Sequence, residues 1–197
     1  MRKIIIGVLI TMSYMGWSQE QPIPDSTQIK MTSYIAPLKD RPNVKVLGYD
    51  QSGVIRVLRP NNKSSLTCVA DDPTKEGLEL VCYSSRLDDF MQRGRDLRIQ
   101  GVEVSEIHET RKKEIENGML KMPEGQGLLY LFYGDVKNLN KKTGEVKDGY
   151  MRYVIYTPYA TEELSGLPLK PSAPGMPWLM AAGTHRAHIM INPPKNE

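Results

Sequence analysis

Apolar and polar positions alternate in short runs through the first third of the chain. Val44-Lys45-Val46-Leu47-Gly48-Tyr49 and Val54-Ile55-Arg56-Val57-Leu58-Arg59 are β-rich runs separated by Asp50-Gln51-Ser52-Gly53, a set of turn residues. Pro60-Asn61-Asn62 supplies the next turn. Leu66–Ala70 and Leu78–Tyr83 follow as a second pair of runs around Asp71-Asp72-Pro73 and Gly77. Read in order, these four strands predict an antiparallel meander.

The period changes at Ser85. Leu87, Phe90, Met91, Gly94 and Leu97 recur at helical spacing. Ser85 and Asp88 resemble a capping box, with Asp in place of the usual Glu or Gln. Asp88 and Asp89 at the start, with Arg93, Arg95 and Arg98 toward the end, complement the helix dipole. After Gly101 a second helix is predicted from about 104 to 117, with Ile107 and Ile115 inward, His108 facing solvent and Gly118 as its stop. Leu128–Tyr133 and Met151–Thr157 read as strands, Ala160–Ser165 as one helical turn, and Ala187–Ile191 as a last strand. Pro168, Pro171, Pro174 and Pro177 predict an irregular loop before it. The expected fold class is α+β: an antiparallel sheet of six to seven strands with two helices inserted mid-chain.

Upstream of these elements, Arg2 and Lys3 precede an apolar run to Trp17, and Gly16 and Ser18 place small residues before Gln19. That layout predicts a signal peptide over 1–18. The run is shorter than the roughly 20 residues of a comfortable membrane span, so no stable span is expected after cleavage. Residues 19–42 hold Pro22, Pro24, Pro37 and Pro42 and are expected to be an extended lead-in. A single α+β domain is then expected over 43–193.

Charge narrows the partner classes. Two of the 26 Lys and Arg residues lie in the leader, so the rest of the chain is close to balanced against its 23 acids. The basic residues are scattered, which argues against a nucleic-acid partner. The chain holds two cysteines, Cys68 and Cys82. Export implies an oxidising compartment, secreted or periplasmic, where they are expected to form a disulfide. Placing Cys68 opposite Cys82 also sets Ala70 opposite Leu80 and Leu66 opposite Ser84, and period-2 alternation puts both sulfurs on the apolar side.

Candidate chemistry is sparse. Asp71-Asp72 offers two carboxylates at a hairpin tip, either a turn or the start of a calcium site, without the DxDxDG-type series that would support the metal. His185 and His188 are expected on opposite faces of a strand, and HExxH is absent because Arg186 stands in the Glu position. His188 is the candidate general base, with Glu162 and Glu163 as possible partners. No GxSxG, SxxK, CxxC or CxxCH motif occurs, and no metal or other cofactor is expected. Six tyrosines between Tyr130 and Tyr159 read as cross-strand packing or as a sugar- or peptide-binding surface.

Two islands carry a resemblance. Thr67-Cys68-Val69-Ala70-Asp71-Asp72-Pro73 with Gly77 and Cys82 resembles the TCxxDDPxxxGxxxxC block of a group of uncharacterised secreted bacterial proteins. Trp178-Leu179-Met180-Ala181-Ala182-Gly183-Thr184 with Ala187-His188-Ile189-Met190 resembles the WxMxxGTxxAHxM block of the same group. The resemblance singles out Asp71, Asp72, Trp178, Thr184 and His188 as ligand-binding candidates, besides Gly183 and the two cysteines. It implies no mechanism. If the last strand packs beside the cysteine hairpin, Asp71 or Asp72 would approach His188. The expected role is a non-catalytic binding or structural module of the periplasm or cell exterior, with an envelope component, glycan or peptide as partner. The alternative is a hydrolase or metal-assisted enzyme centred on His188.

Overall fold

In the computed structural model the described residues are 23–61, 63–122 and 124–194. The expected leader lies outside them. The elements are α1 (Asp25–Tyr34), β1 (Lys45–Tyr49), β2 (Ile55–Arg59), β3 (Leu66–Val69), β4 (Leu78–Ser84), α2 (Asp88–Ile99), α3 (Val104–Glu116), β5 (Gly127–Gly134), β6 (Tyr150–Tyr156), α4 (Glu162–Ser165), β7 (Trp178–Met180) and β8 (His188–Ile191). The class is α+β. One eight-stranded sheet runs in the order β2-β1-β3-β4-β5-β6-β8-β7.

The meander is corrected at one point. β1 and β2 form the expected hairpin, but the chain then returns to the far side of β1, so β1 and β3 pair in parallel. The reason is visible in burial. All four residues of β3 are buried, as a central strand requires, whereas β2 leaves Val57 55% exposed and carries Arg56 and Arg59 at an edge. Every other pairing is antiparallel. In β3–β4 the register sets Leu66 opposite Ser84 and Cys68 opposite Cys82, and the two cysteines form a disulfide.

Residues 25–34 are helical, not extended. Pro24 is the N-cap and Pro37 follows the end, so the prolines flank a proline-free stretch instead of interrupting it. Sequence pattern does not announce α1, because it docks through polar groups as well as Met31, Ile35 and Ala36. The Gln28 carboxamide donates to Ile23 O and Tyr49 O and accepts from Tyr49 N. Arg59 of β2 donates to Ser33 Oγ, Arg41 O and Val44 O. The segment 25–42 is therefore part of the domain.

The sheet separates two cores. On the α1 side Met31, Val44, Val46, Cys68, Leu80, Cys82 and Phe132 pack together. On the other side Leu47, Val69, Tyr83, Leu87, Leu129 and Val154 meet α2, with Phe90 1% exposed. The expected Ser85 cap does not form; a 3-10 turn over Ser85–Leu87 leads into α2 instead. Asp88 accepts from Thr67 Oγ1 and faces Lys45 at 3.8 Å. Gly118, at φ +77°, follows the end of α3 as its spacing predicts. β7 falls just after the proline-rich loop, a strand of three residues beyond the reach of periodicity.

Candidate functional site

Two of the residues that the resemblance singles out fold their own turns. Asp72 Oδ1 accepts from Thr74 N and Thr74 Oγ1, and Oδ2 lies 3.2 Å from Lys75 Nζ. Thr184 Oγ1 donates to Ala181 O and accepts from Arg186 N, closing the turn before β8. Asp71 accepts from Glu79 N, and burial pushes its carboxyl up to about 6. No group of three or more His, Cys, Asp and Glu that could hold a metal ion occurs among the described residues.

Neither aspartate meets His188. Asp71 and Asp72 precede the Leu78 end of β4, which pairs with Gly134. His188 pairs with Tyr156, which pairs with Gly127 at the opposite end of β5. β5 and β6 lie between β4 and β8. At about 3.3 Å per residue the two ends of β5 alone are roughly 20 Å apart. The condition under which these carboxylates would approach His188 is therefore not met.

His188 sits instead in an aromatic and cationic cluster. Its Nδ1–H donates to Arg186 O at 2.7 Å, which leaves Nε2 as the acceptor, and its ring lies 5.5 Å from that of Tyr156. Burial, together with the charge of Arg186, lowers its pKa, while the bond to Arg186 O acts the other way. No carboxylate among the described residues bonds to it. Phe90 of α2 stands at the centre, edge-on to Tyr156 at 5.9 Å and to His185 at 6.0 Å. His185 and His188 thus border one aromatic group, not opposite faces, because His185 lies in the turn before β8. His108 is half-buried, not solvent-facing, and its Nδ1 accepts from Arg111 Nη2 at 3.3 Å. Burial lowers the pKa of both histidines, that of His185 to about 4, and Arg111 and Arg186 add to the effect.

A second arrangement surrounds Trp178. Pro171, Ser172, Ala173, Pro174 and Gly175 line, together with Trp178 and Asn192, a cleft of about 340 Å³. No charged group among the described residues lines it. Asn192 Oδ1 has no hydrogen-bond partner. The Leu179 N–H donates to Pro168 O, so the proline loop covers part of the β7 edge. Another cleft of about 410 Å³ lies between α1 and the β1–β2 turn, but there Asp25 pairs with Arg56 and Gln28 is fully engaged.

No family model, curated protein or solved structure matches the chain. Of the sequence candidates, Trp178 lines a cleft and His188 joins a cluster; Asp72 and Thr184 hold turns. Glu162 and Glu163 are exposed on α4 and form no ion pair among the described residues. Sequence reading missed Arg111 and Asn192, and set His185 apart from His188 on the opposite face of a strand. An arginine at an inward helical position beside Ile107 was the available signal for the first.

Proposed function

We propose that the protein is an exported, non-catalytic binding module that takes a neutral glycan on Trp178. The observation that carries this reading is the uncharged cleft beside the indole. A pyranose ring offers an apolar C–H face to stack on an aromatic ring and hydroxyls to meet a carboxamide. Trp178 supplies the first surface, and Ser172 and Asn192 are the polar residues that line the cleft beside it. Pro171 and Pro174 leave the lining loop little conformational freedom to lose on binding. A peptide adding as a strand is disfavoured because Pro168 O already occupies Leu179 N–H on the β7 edge. The disulfide fits an oxidising compartment, and no helix among the described residues is long and apolar enough to cross a membrane.

The test uses the chain from Gln19, in which Trp178 is the single tryptophan and reports directly on the cleft. Neutral oligosaccharides (cello-, xylo-, malto- and chito-series) are titrated by tryptophan fluorescence and calorimetry. Saturable binding by at least one series is expected, with Trp178→Ala weakening it about tenfold or more through loss of ring contact. A flat response across the panel, or binding indifferent to Trp178→Ala in a folded variant, overturns the reading.

A further inference from the structure

The sheet face under α2 is covered only in part. Leu129 and Val154 pair across β5 and β6 and are buried against Leu87 and Met91 at the start of the helix. Further along the same strands Leu131 pairs with Arg152 and Tyr133 with Tyr150, and all four are half-buried. Period-2 alternation keeps them on the face of Leu129 and Val154. The same open surface runs sideways to the cleft. Val154 pairs with Met190 and Met190 with Trp178, so the indole shares this face. Asn192 lines the cleft and comes next in register to Arg152, because Ile191 pairs with Tyr153. Two strand spacings, roughly 10 Å, separate β6 from β7.

Arg152 brings a positive charge to this platform. Its guanidinium carbon lies 5.1 Å from the Tyr133 ring centroid and 5.4 Å from that of Tyr150. Arg56 and Arg93 are each paired with a carboxylate, whereas Arg152 has no hydrogen-bond or ion-pair partner among the described residues. Of its nitrogens Nε alone is sealed from solvent, which leaves the Nη1–Nη2 end of the fork open. Glu79, opposite Tyr133 on β4, is exposed and forms no ion pair. Burial and this carboxylate push the Tyr133 hydroxyl up, while Arg152 acts the other way. Ring faces hold a guanidinium in place without neutralising its charge.

We infer that Arg152, held by Tyr133 and Tyr150, is the subsite for a carboxylate on the glycan that stacks on Trp178, so the full ligand is an oligosaccharide of the uronate class. The inference rests on the Trp178 reading and extends it: the neutral sugar on the indole is one unit of a longer, acidic chain. The open end of a single guanidinium matches the two oxygens and the one charge of a planar carboxylate. The tyrosines add ring area for the sugar that carries it. The separation of Trp178 from Arg152 calls for an oligomer, since one sugar ring reaches only one of them.

Uronate oligomers (galacturonate, mannuronate and glucuronate-substituted xylo-series) are titrated by calorimetry beside the same oligomers with their carboxyl groups reduced to alcohols. At least one acidic oligomer is expected to bind the wild type about tenfold more tightly than its reduced form, the size of one charge-assisted contact. Raising the salt concentration should shrink that preference. Arg152→Gln should erase it and leave the reduced oligomer bound as before, while Arg56→Gln, whose side chain pairs with Asp25 of α1, should preserve it. Trp178→Ala should weaken both forms. Reduced oligomers binding as tightly as acidic ones, or an acidic preference that survives Arg152→Gln, overturns this inference and leaves the Trp178 reading standing. Absence of binding by every oligomer, acidic or reduced, overturns both.

Discussion

The two faces of the sheet solve the same burial problem with different materials. Under α1 the contacts are apolar side chains around a disulfide, and the Gln28 carboxamide of the helix is hydrogen-bonded at its margin. Under α2 and α3 a phenylalanine is ringed by a tyrosine, a histidine and an arginine, and Arg111 Nε and His185 Nε2 have no hydrogen-bond partner among the described residues. Apolar contact is tolerant and local. A buried cation is costly without compensation, so the second face keeps an electrostatic demand that the first does not have. The α1 face holds the fold together; the α2–α3 face has chemistry left over.

The sharpest way to break this contrast is Phe90→Ala. It removes a fully buried ring and the surface under Arg111, so a loss of about 3–5 kcal/mol is expected in a denaturant titration. A loss below about 1 kcal/mol would show that the ring is not what holds the guanidinium. On the other face, replacing Cys68 and Cys82 by serine opens a link across 14 residues of sequence, which in the chain-entropy model is worth about 3 kcal/mol. The same measurement reads it.

Gln28→Ala probes the polar margin of α1. It leaves the N–H and C=O of Tyr49 without their partner, and a loss of about 2 kcal/mol is expected in thermal or chemical unfolding. Acid titration separates the faces again. His185 has a folded pKa of about 4 against an ordinary 6.5, so the unfolded chain binds the proton first, and stability is lost as pH falls from 6.5 toward 4. Asp71 has a folded pKa of about 6 against 3.8, so the folded chain binds the proton first, and stability rises as pH falls through that window. His185→Gln should flatten the acid loss. Asp71→Asn, the smallest effect, should steepen it and raise the Tm at neutral pH. Unchanged Tm–pH profiles in both variants would remove the titrating role from these groups.

Much of the architecture was legible because it rests on local pattern. The β1–β2 hairpin, the cysteine register, α2, α3 and the two long strands all follow from periodicity and turn residues. The parallel β1–β3 pairing was hidden because alternation reports a strand and not its neighbour; only Arg56 and Arg59 hinted that β2 is an edge. α1 was hidden because Thr27, Gln28, Thr32 and Ser33 are buried, Gln28 and Ser33 through hydrogen bonds to Tyr49 and Arg59, leaving no apolar stripe to read. At the site, Trp178 was singled out only through the resemblance of its C-terminal block, not by periodicity. Arg111 was not, because its environment comes from Phe90 and Gly94 on α2, adjacent to it only after folding.

The manner of α1's attachment also bears on the order in which the chain assembles. Its partners, Tyr49, Arg56 and Arg59, belong to a hairpin that lies downstream in sequence. A ten-residue helix of this composition gains little from isolated coil-to-helix propagation. Because α1 also packs on Cys68, Leu80 and Cys82 of β3 and β4, it is expected to condense late, onto strands already paired, and substitutions in α1 should accelerate unfolding while leaving the refolding rate nearly unchanged.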